Sequence, residues 1–261
     1  MTERQFVKTT IEDRVAILTI DHPPVNALSQ ATMAELGEAV DELIANPEVK
    51  AVVITGAGQI AFVAGADINE FTQVQSAQMA IDASRRGQAV FSKIENAPKP
   101  FIAAINGVAL GGGMELALAC HLRIIGDRAR MGQPEINLGI IPGWGGTQRL
   151  PRIVGRAKAI ELILTGDQIT AQEAYRLNLV NKVVPGGEVL KTARDLGRKI
   201  AQKSALTAKA ALQAVQGGTS KSLAEGLEDE ANQFAVLFET EDMREGVAAF
   251  LQKRQPVFQD K

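Results

Sequence analysis

Glu135 is the only charged residue within the stretch 131–148, and Glu115 directly follows an uncharged run, 100–114. A carboxylate in apolar, glycine-rich surroundings is costly to keep ionised, so its pKa rises toward the range useful for moving protons. Two such groups form a candidate acid–base pair. Each also has a plainer reading. Glu115 could complement a helix dipole from an early turn, and Glu135 could pair with a distant cation such as Arg149 or Arg152.

Glycines surround both acids. Gly111–Gly113 end a strand-like run and open a helix, so free backbone N–H groups collect where the helix dipole favours negative charge. Glu115 falls in the first turns of that helix, with Leu118 and Ala119 on its own face. Upstream, Gly65 permits an unusual turn and Ala66 offers a second N–H beside a small side chain. Amides from Ala66 and Gly112, if the loops meet, would make an oxyanion hole. Asp67 most simply caps or ties that turn.

Other motifs carry less. Residues 56–61 (GAGQIA) fit a loose dinucleotide pattern, but the apolar 60–66 follows where a helix should open. The chain has no P-loop and no GxSxG. Cys120 and His121 are adjacent, so their side chains diverge, and a core thiol beside a surface or capping imidazole is the expected arrangement.

The elements that must position these groups are legible. Runs 14–20, 50–55, 101–105, 122–125 and 179–184 read as short strands. Met33, Leu36, Val40, Leu43 and Ile44 make one apolar stripe on a helix over 30–45, ended before Pro47. A second helix covers 78–96, stopped by Pro98. Near residue 185 the pattern changes. Stretches 187–204, 206–215, 223–238 and 242–254 all read as helices. The expectation is an α/β core over 1–185 and a helical region over 186–261.

Composition bounds the function. Lys+Arg number 28 and Asp+Glu 30, a net charge of −2, which argues against a dedicated DNA binder or a polybasic membrane binder. One cysteine forbids an internal disulfide and suits a reducing compartment. Cys120, His22 and His121 are too few soft ligands for a structural zinc, so no metal is expected. Residues 1–13 mix charges without an apolar core, unlike a signal peptide. The longest uncharged runs, 51–66 and 100–114, are 16 and 15 residues, short of a membrane span. A cytoplasmic protein is expected, or an organelle-matrix one if processed.

Residues 62–71 (FVAGADINEF), 106–120 (NGVALGGGMELALAC), 132–155 (GQPEINLGIIPGWGGTQRLPRIVG) and 164–184 (LTGDQITAQEAYRLNLVNKVV) resemble the signature segments of the crotonase family, in its enoyl-CoA hydratase branch. The likeness runs from 23–29 (PPVNALS) to 241–254 (EDMREGVAAFLQKR). It implies a spiral of ββα turns with a helical C-terminal region that builds trimers, usually paired into hexamers. It implies an acyl-CoA thioester as substrate, with no metal or redox cofactor. The implied reaction is reversible syn addition of water to a trans-2-enoyl-CoA, giving a 3-hydroxyacyl-CoA in fatty-acid or related acyl-CoA breakdown.

Carried over by position, Ala66 and Gly112 supply the oxyanion N–H groups, and Glu115 and Glu135 are the catalytic carboxylates. Ala64, Ala66, Asp67, Ile68, Asn69 and Gly112 line the thioester and the bent CoA chain. Lys253 approaches the CoA phosphates, often in a neighbouring subunit. Two positions depart from the pattern: Asn69 stands where relatives often carry Lys, and Trp144 where a small residue is frequent. The alternatives are Δ3,Δ2-enoyl-CoA isomerisation, for which one carboxylate suffices, or another crotonase-family acyl-CoA reaction, and, in a different class, RNA binding, which the net charge disfavours.

Overall fold

The computed structural model describes residues 4–261; Met1, Thr2 and Glu3 of the N-terminal segment lie outside the described residues. Ten strands form two sheets. The larger one has six, in the order β1 (Val7–Glu12), β2 (Val15–Ile20), β3 (Ala51–Gly56), β5 (Phe101–Ile105), β7 (Leu122–Gly126) and β10 (Lys182–Val184). β1 and β2 are an antiparallel pair; every other neighbour is parallel. The smaller sheet holds β4 (Ala61–Val63), β6 (Val108–Leu110), β8 (Arg130–Gly132) and β9 (Gln168–Thr170).

The chain passes from the large sheet to the small one and then into a helix, three times over. β3 leads to β4, then by a short helix α2 (Ile68–Phe71) to α3 (Ala77–Glu95). β5 leads to β6 and α4 (Gly112–Ala119); β7 leads to β8 and α5 (Gly146–Val154). This is the expected ββα spiral.

The middle of the large sheet is covered on both faces, which is why β3 and β5 are continuous, fully buried runs. Side chains alternate across a strand. Val52 and Ile54 of β3 therefore face one core, with Leu36 and Val40 of α1 (Gln30–Ala45) and with Phe91 and Ile94 of α3. Ala51 and Val53 face a second core, with Val189, Ala193 and Ala201 of α8 (Val189–Ala201). α8 lies in the C-terminal stretch but packs on the sheet, with Gly197 against Val15. Beyond it come α9 (Ala205–Gly218), α10 (Leu223–Leu237) and α11 (Glu241–Leu251).

Strand reading from the sequence stopped at the large sheet. The small-sheet strands are three residues each, too short for an alternation to show, and β1 is half exposed with four charged or Thr positions. Residues 179–181 precede β10 as a turn, with Leu179 N–H donating to Ala174 O at 2.8 Å. Among the described residues, no helix is long and apolar enough to cross a membrane.

Candidate active site

α4 is apolar but for Glu115 and wholly buried, so it sits inside the spiral rather than on it. Its N-terminus is the centre of the site. Three consecutive glycines let three different groups approach. A Cβ on Gly111 would stand 3.0 Å from Glu135 Oε1, one on Gly112 would stand 2.5 Å from the Trp144 ring, and one on Gly113 would stand 2.0 Å from Val63 O. Gly111 also has φ +51, a value that side chains resist. The last contact seats α4 directly on β4.

The two amide-bearing loops do meet. Leu28 pairs with the Ala66 segment as a parallel bridge: Leu28 N–H donates to Gly65 O at 2.8 Å, and Asp67 N–H to Leu28 O at 3.2 Å. Successive amides of an extended segment point to opposite sides, so the Ala66 N–H is turned away from Leu28 and toward α4. Ala66 N lies 3.5 Å from the place of a Gly112 Cβ. Gly112 is the first residue of α4, where an amide has no partner within its own helix. The Ala66 amide and the first residue of α4 are therefore neighbours.

Glu115 is 2% exposed. Its Oε1 accepts from the N–H groups of Trp144 and Gly146, both at 2.7 Å. Burial pushes its pKa up, while those two amides and the nearby Arg149 charge pull the other way. Glu135 stands on a 3-10 turn, Pro134–Leu138, closed by left-handed Gly139. Its pKa is raised to about 7, by burial first and then by the charge of Glu115. With its amide turned to face the carboxylate, fully buried Gln133 donates to both oxygens of Glu135, at 3.0 and 3.1 Å. Among the described residues, neither acid forms an ion pair with an arginine. Arg149 binds Glu95 at 2.7 Å and Trp144 O at 2.9 Å, and Arg152 turns back to Gln148 O.

Such an arrangement can do acid–base chemistry next to an oxyanion. One carboxylate is held by two amides, the other holds a proton near neutral pH, and two free N–H groups stand beside them.

A match to the family described as enoyl-CoA hydratase/isomerase extends over residues 10–261. A probable enoyl-CoA hydratase of Bacillus subtilis is 45% identical, over 97% of this chain and 98% of that one. The crotonyl-CoA hydratase of Syntrophomonas wolfei is 44% identical over 95% of each. The chain belongs to the enoyl-CoA hydratase/isomerase family. A crystal structure of enoyl-CoA hydratase from Bacillus anthracis superposes with a TM-score of 0.94 at 37% identity, covering 98% of this chain and all of that one.

The other residues expected from the family likeness are placed as follows. Ala64 N–H donates to Val25 O at 3.1 Å. Asp67 caps α2, and its carboxylate holds both the backbone and side-chain amides of Asn69, at 3.0 and 2.9 Å. Asn69 is thus used locally. Ile68 is exposed. Lys253 stands exposed just past α11 with φ +54, and no bond among the described residues ties it to the site within one chain. Cys120 and His121 take no part. The buried thiol is pushed up to about 12, while the imidazole, lowered to about 4 by burial, accepts from Phe101 N–H at 2.9 Å. Residues 56–61 join β3 to β4, with no helix for a dinucleotide.

Sequence reasoning missed Gln133, the amides of Trp144 and Gly146, and Glu70, whose carboxylate receives Gln30 N–H at the start of α1. A polar Gln inside an otherwise apolar strand-to-turn stretch was the available signal for the first.

Proposed function

We propose that this family member is an enoyl-CoA hydratase in which Glu115 and Glu135 hold one water between them and the amides of Ala66 and Gly112 hold the thioester oxygen. The observation that carries this reading is the pair of desolvated carboxylates at the start of α4, where Ala66 N lies 3.5 Å from the place of a Gly112 Cβ. Glu115, whose carboxylate accepts from the Trp144 and Gly146 amides, takes a proton from water as the oxygen attacks C3. Glu135, which holds a proton up to about pH 7, delivers it to C2. Electron density moves from the double bond onto the thioester oxygen and returns when C2 is protonated. Each fixed N–H there is worth on the order of 3 kcal/mol of barrier. The product is the 3-hydroxyacyl-CoA, and the reverse path uses the same groups. The steps call on no metal or redox cofactor, and CoA is part of the substrate.

Residues 64–69 line the thioester and pantetheine, and Lys253 meets CoA phosphates from a neighbouring subunit. The assembly is a trimer or a pair of trimers. The lone buried thiol, Cys120, suits the reducing cytoplasm.

The test is hydration of crotonyl-CoA in H₂¹⁸O by wild type, Glu115→Gln, Glu135→Gln and the double variant. Each single change should lower turnover by about 10²-fold or more. The double change should cost far less than the product, because the two acids act as a unit. An isomerase working through one proton-shuttling carboxylate would leave the other acid dispensable and prefer a 3-enoyl-CoA. Full hydration by either folded single variant removes the two-carboxylate mechanism.

A further inference from the structure

The indole of Trp144 occupies a slot between two helices. At one end a Cβ on Gly87 of α3 would stand 2.3 Å from its Cδ1 and 2.4 Å from its Nε1. At the other, a Cβ on Gly112 of α4 would stand 2.5 Å from its Cζ3. The fully buried Phe91 meets the ring edge to face, with centroids 5.7 Å apart. Neither helix leaves room for a single methyl group beside the ring. The slot ends at Gly112, where the hydratase reading puts the thioester oxygen, so the indole borders the space the acyl chain would enter. An acyl chain cannot pass between α3 and α4 while the ring is there.

From this we infer that Trp144 is the end wall of the acyl pocket and restricts the enzyme to short-chain enoyl-CoA. This rests on the hydratase reading, which puts the thioester at Gly112. The backbone of residue 144 is fixed independently of the indole, because its N–H binds Glu115 at 2.7 Å and its carbonyl accepts from Arg149 at 2.9 Å. The neighbouring Gly143 carbonyl is held by Gln88 Nε2 at 2.9 Å. Shortening the side chain therefore opens the slot while those anchors remain. The space released is lined by Phe91, Gly87 and Gly112, an apolar cavity of the sort that accepts apolar ligands.

Each further methylene given a buried place strengthens binding about fourfold. Room for two or more should thus shift selectivity by about tenfold or more. The experiment compares wild type, Trp144→Phe and Trp144→Ala in two ways. One is kcat/KM for the C4, C8 and C10 trans-2-enoyl-CoAs. The other is calorimetric binding of the saturated C4, C8 and C10 acyl-CoAs, which needs no turnover. Ratios are compared, so a general loss of activity cancels. The expected result is a C10/C4 ratio that is low in wild type, rises about tenfold or more in Trp144→Ala, and rises less in Trp144→Phe. Binding ratios that shift while no enoyl-CoA is hydrated support the wall and sink the hydratase reading. Hydration with an unchanged ratio in folded Trp144→Ala overturns the wall alone. Should that variant fail to fold, a wild-type ratio in folded Trp144→Phe overturns it equally.

Discussion

Glu135 takes its proton affinity from position rather than from an ion partner. Burial and the Glu115 charge together lift it from 4.5 to about 7. Hydration needs that proton at C2, so kcat/KM for crotonyl-CoA should fall as pH rises through about 7. Dehydration of the 3-hydroxyacyl-CoA uses the same carboxylate pair carrying one proton in total, and the overall reaction exchanges no proton with solvent, so its kcat/KM should fall over the same range. Glu135→Gln should lose this limb in both directions. A hydration rate that stays flat from acid to alkaline pH would take Glu135 out of the donor role. The same shift has a stability sign. The folded pKa lies above the unfolded one, so the folded state binds more protons and loses stability as pH rises from about 4.5 to about 7, with no further change above. Glu135→Gln should therefore raise Tm at pH 8 and leave it unchanged at pH 4, as calorimetry would read.

At the scale of elements, the site depends on how closely α4 sits on β4. Gly113→Ala would put a methyl carbon 2.0 Å from Val63 O. Since both groups are backbone, helix and strand must separate. The expected cost exceeds the roughly 1–3 kcal/mol usual for overpacking, and turnover should fall further because Ala66 and Gly112 move apart. Gly139→Ala is the contrast. Its φ is +72 but nothing lies within 4 Å of the new methyl, so only the left-handed backbone resists, at about 1–2 kcal/mol. Urea denaturation of both variants, with turnover measured alongside, checks this; equal losses would mean that the α4–β4 contact is not the limiting one. Gly112 itself is a poor place for such a test. Any side chain there strikes the Trp144 ring, so a loss of turnover could not be assigned to the amide.

For the whole molecule, the end of the chain is tied back into the body. Buried Lys50 bonds Asp260 at 2.7 Å and Lys203 O at 2.9 Å. Asp260 also meets Arg14 at 3.1 Å and accepts from Ala205 N–H at 2.8 Å. Buried Asp242 receives Gln259 N–H at 2.7 Å. Asp260→Ala strands the Lys50 charge and should cost about 3 kcal/mol, the low end for a buried pair since Asp260 is partly open to water. Adding Lys50→Met should recover part of that loss in a denaturation series. Assembly is the other question at this scale. No residue of α10 is buried, and Leu223, Leu227, Phe234, Val247, Phe250 and Leu251 all lie exposed on α10 and α11. An apolar surface of that extent on one subunit expects a partner. Light scattering at micromolar concentration should give a trimer or hexamer, and a monomer would refute the proposed assembly.

The chain by itself determined the helix over 30–45, whose stripe and stop are both local, and the strands of the large sheet other than β1, whose apolar runs announce burial on two faces. It also singled out Glu115 and Glu135, because an unpaired charge within a long apolar stretch is visible without coordinates. The small sheet was not legible, since three residues hold no period. Nor could spacing show that Ala66 and Gly112 meet, because the parallel bridge from Leu28 and the Val63 contact that bring them together join segments far apart in sequence. The same holds for what surrounds the acids. The Trp144 and Gly146 amides, and the Trp144 ring lodged between Gly87 and Gly112, act through close approach across the spiral, and only tertiary packing sets such distances.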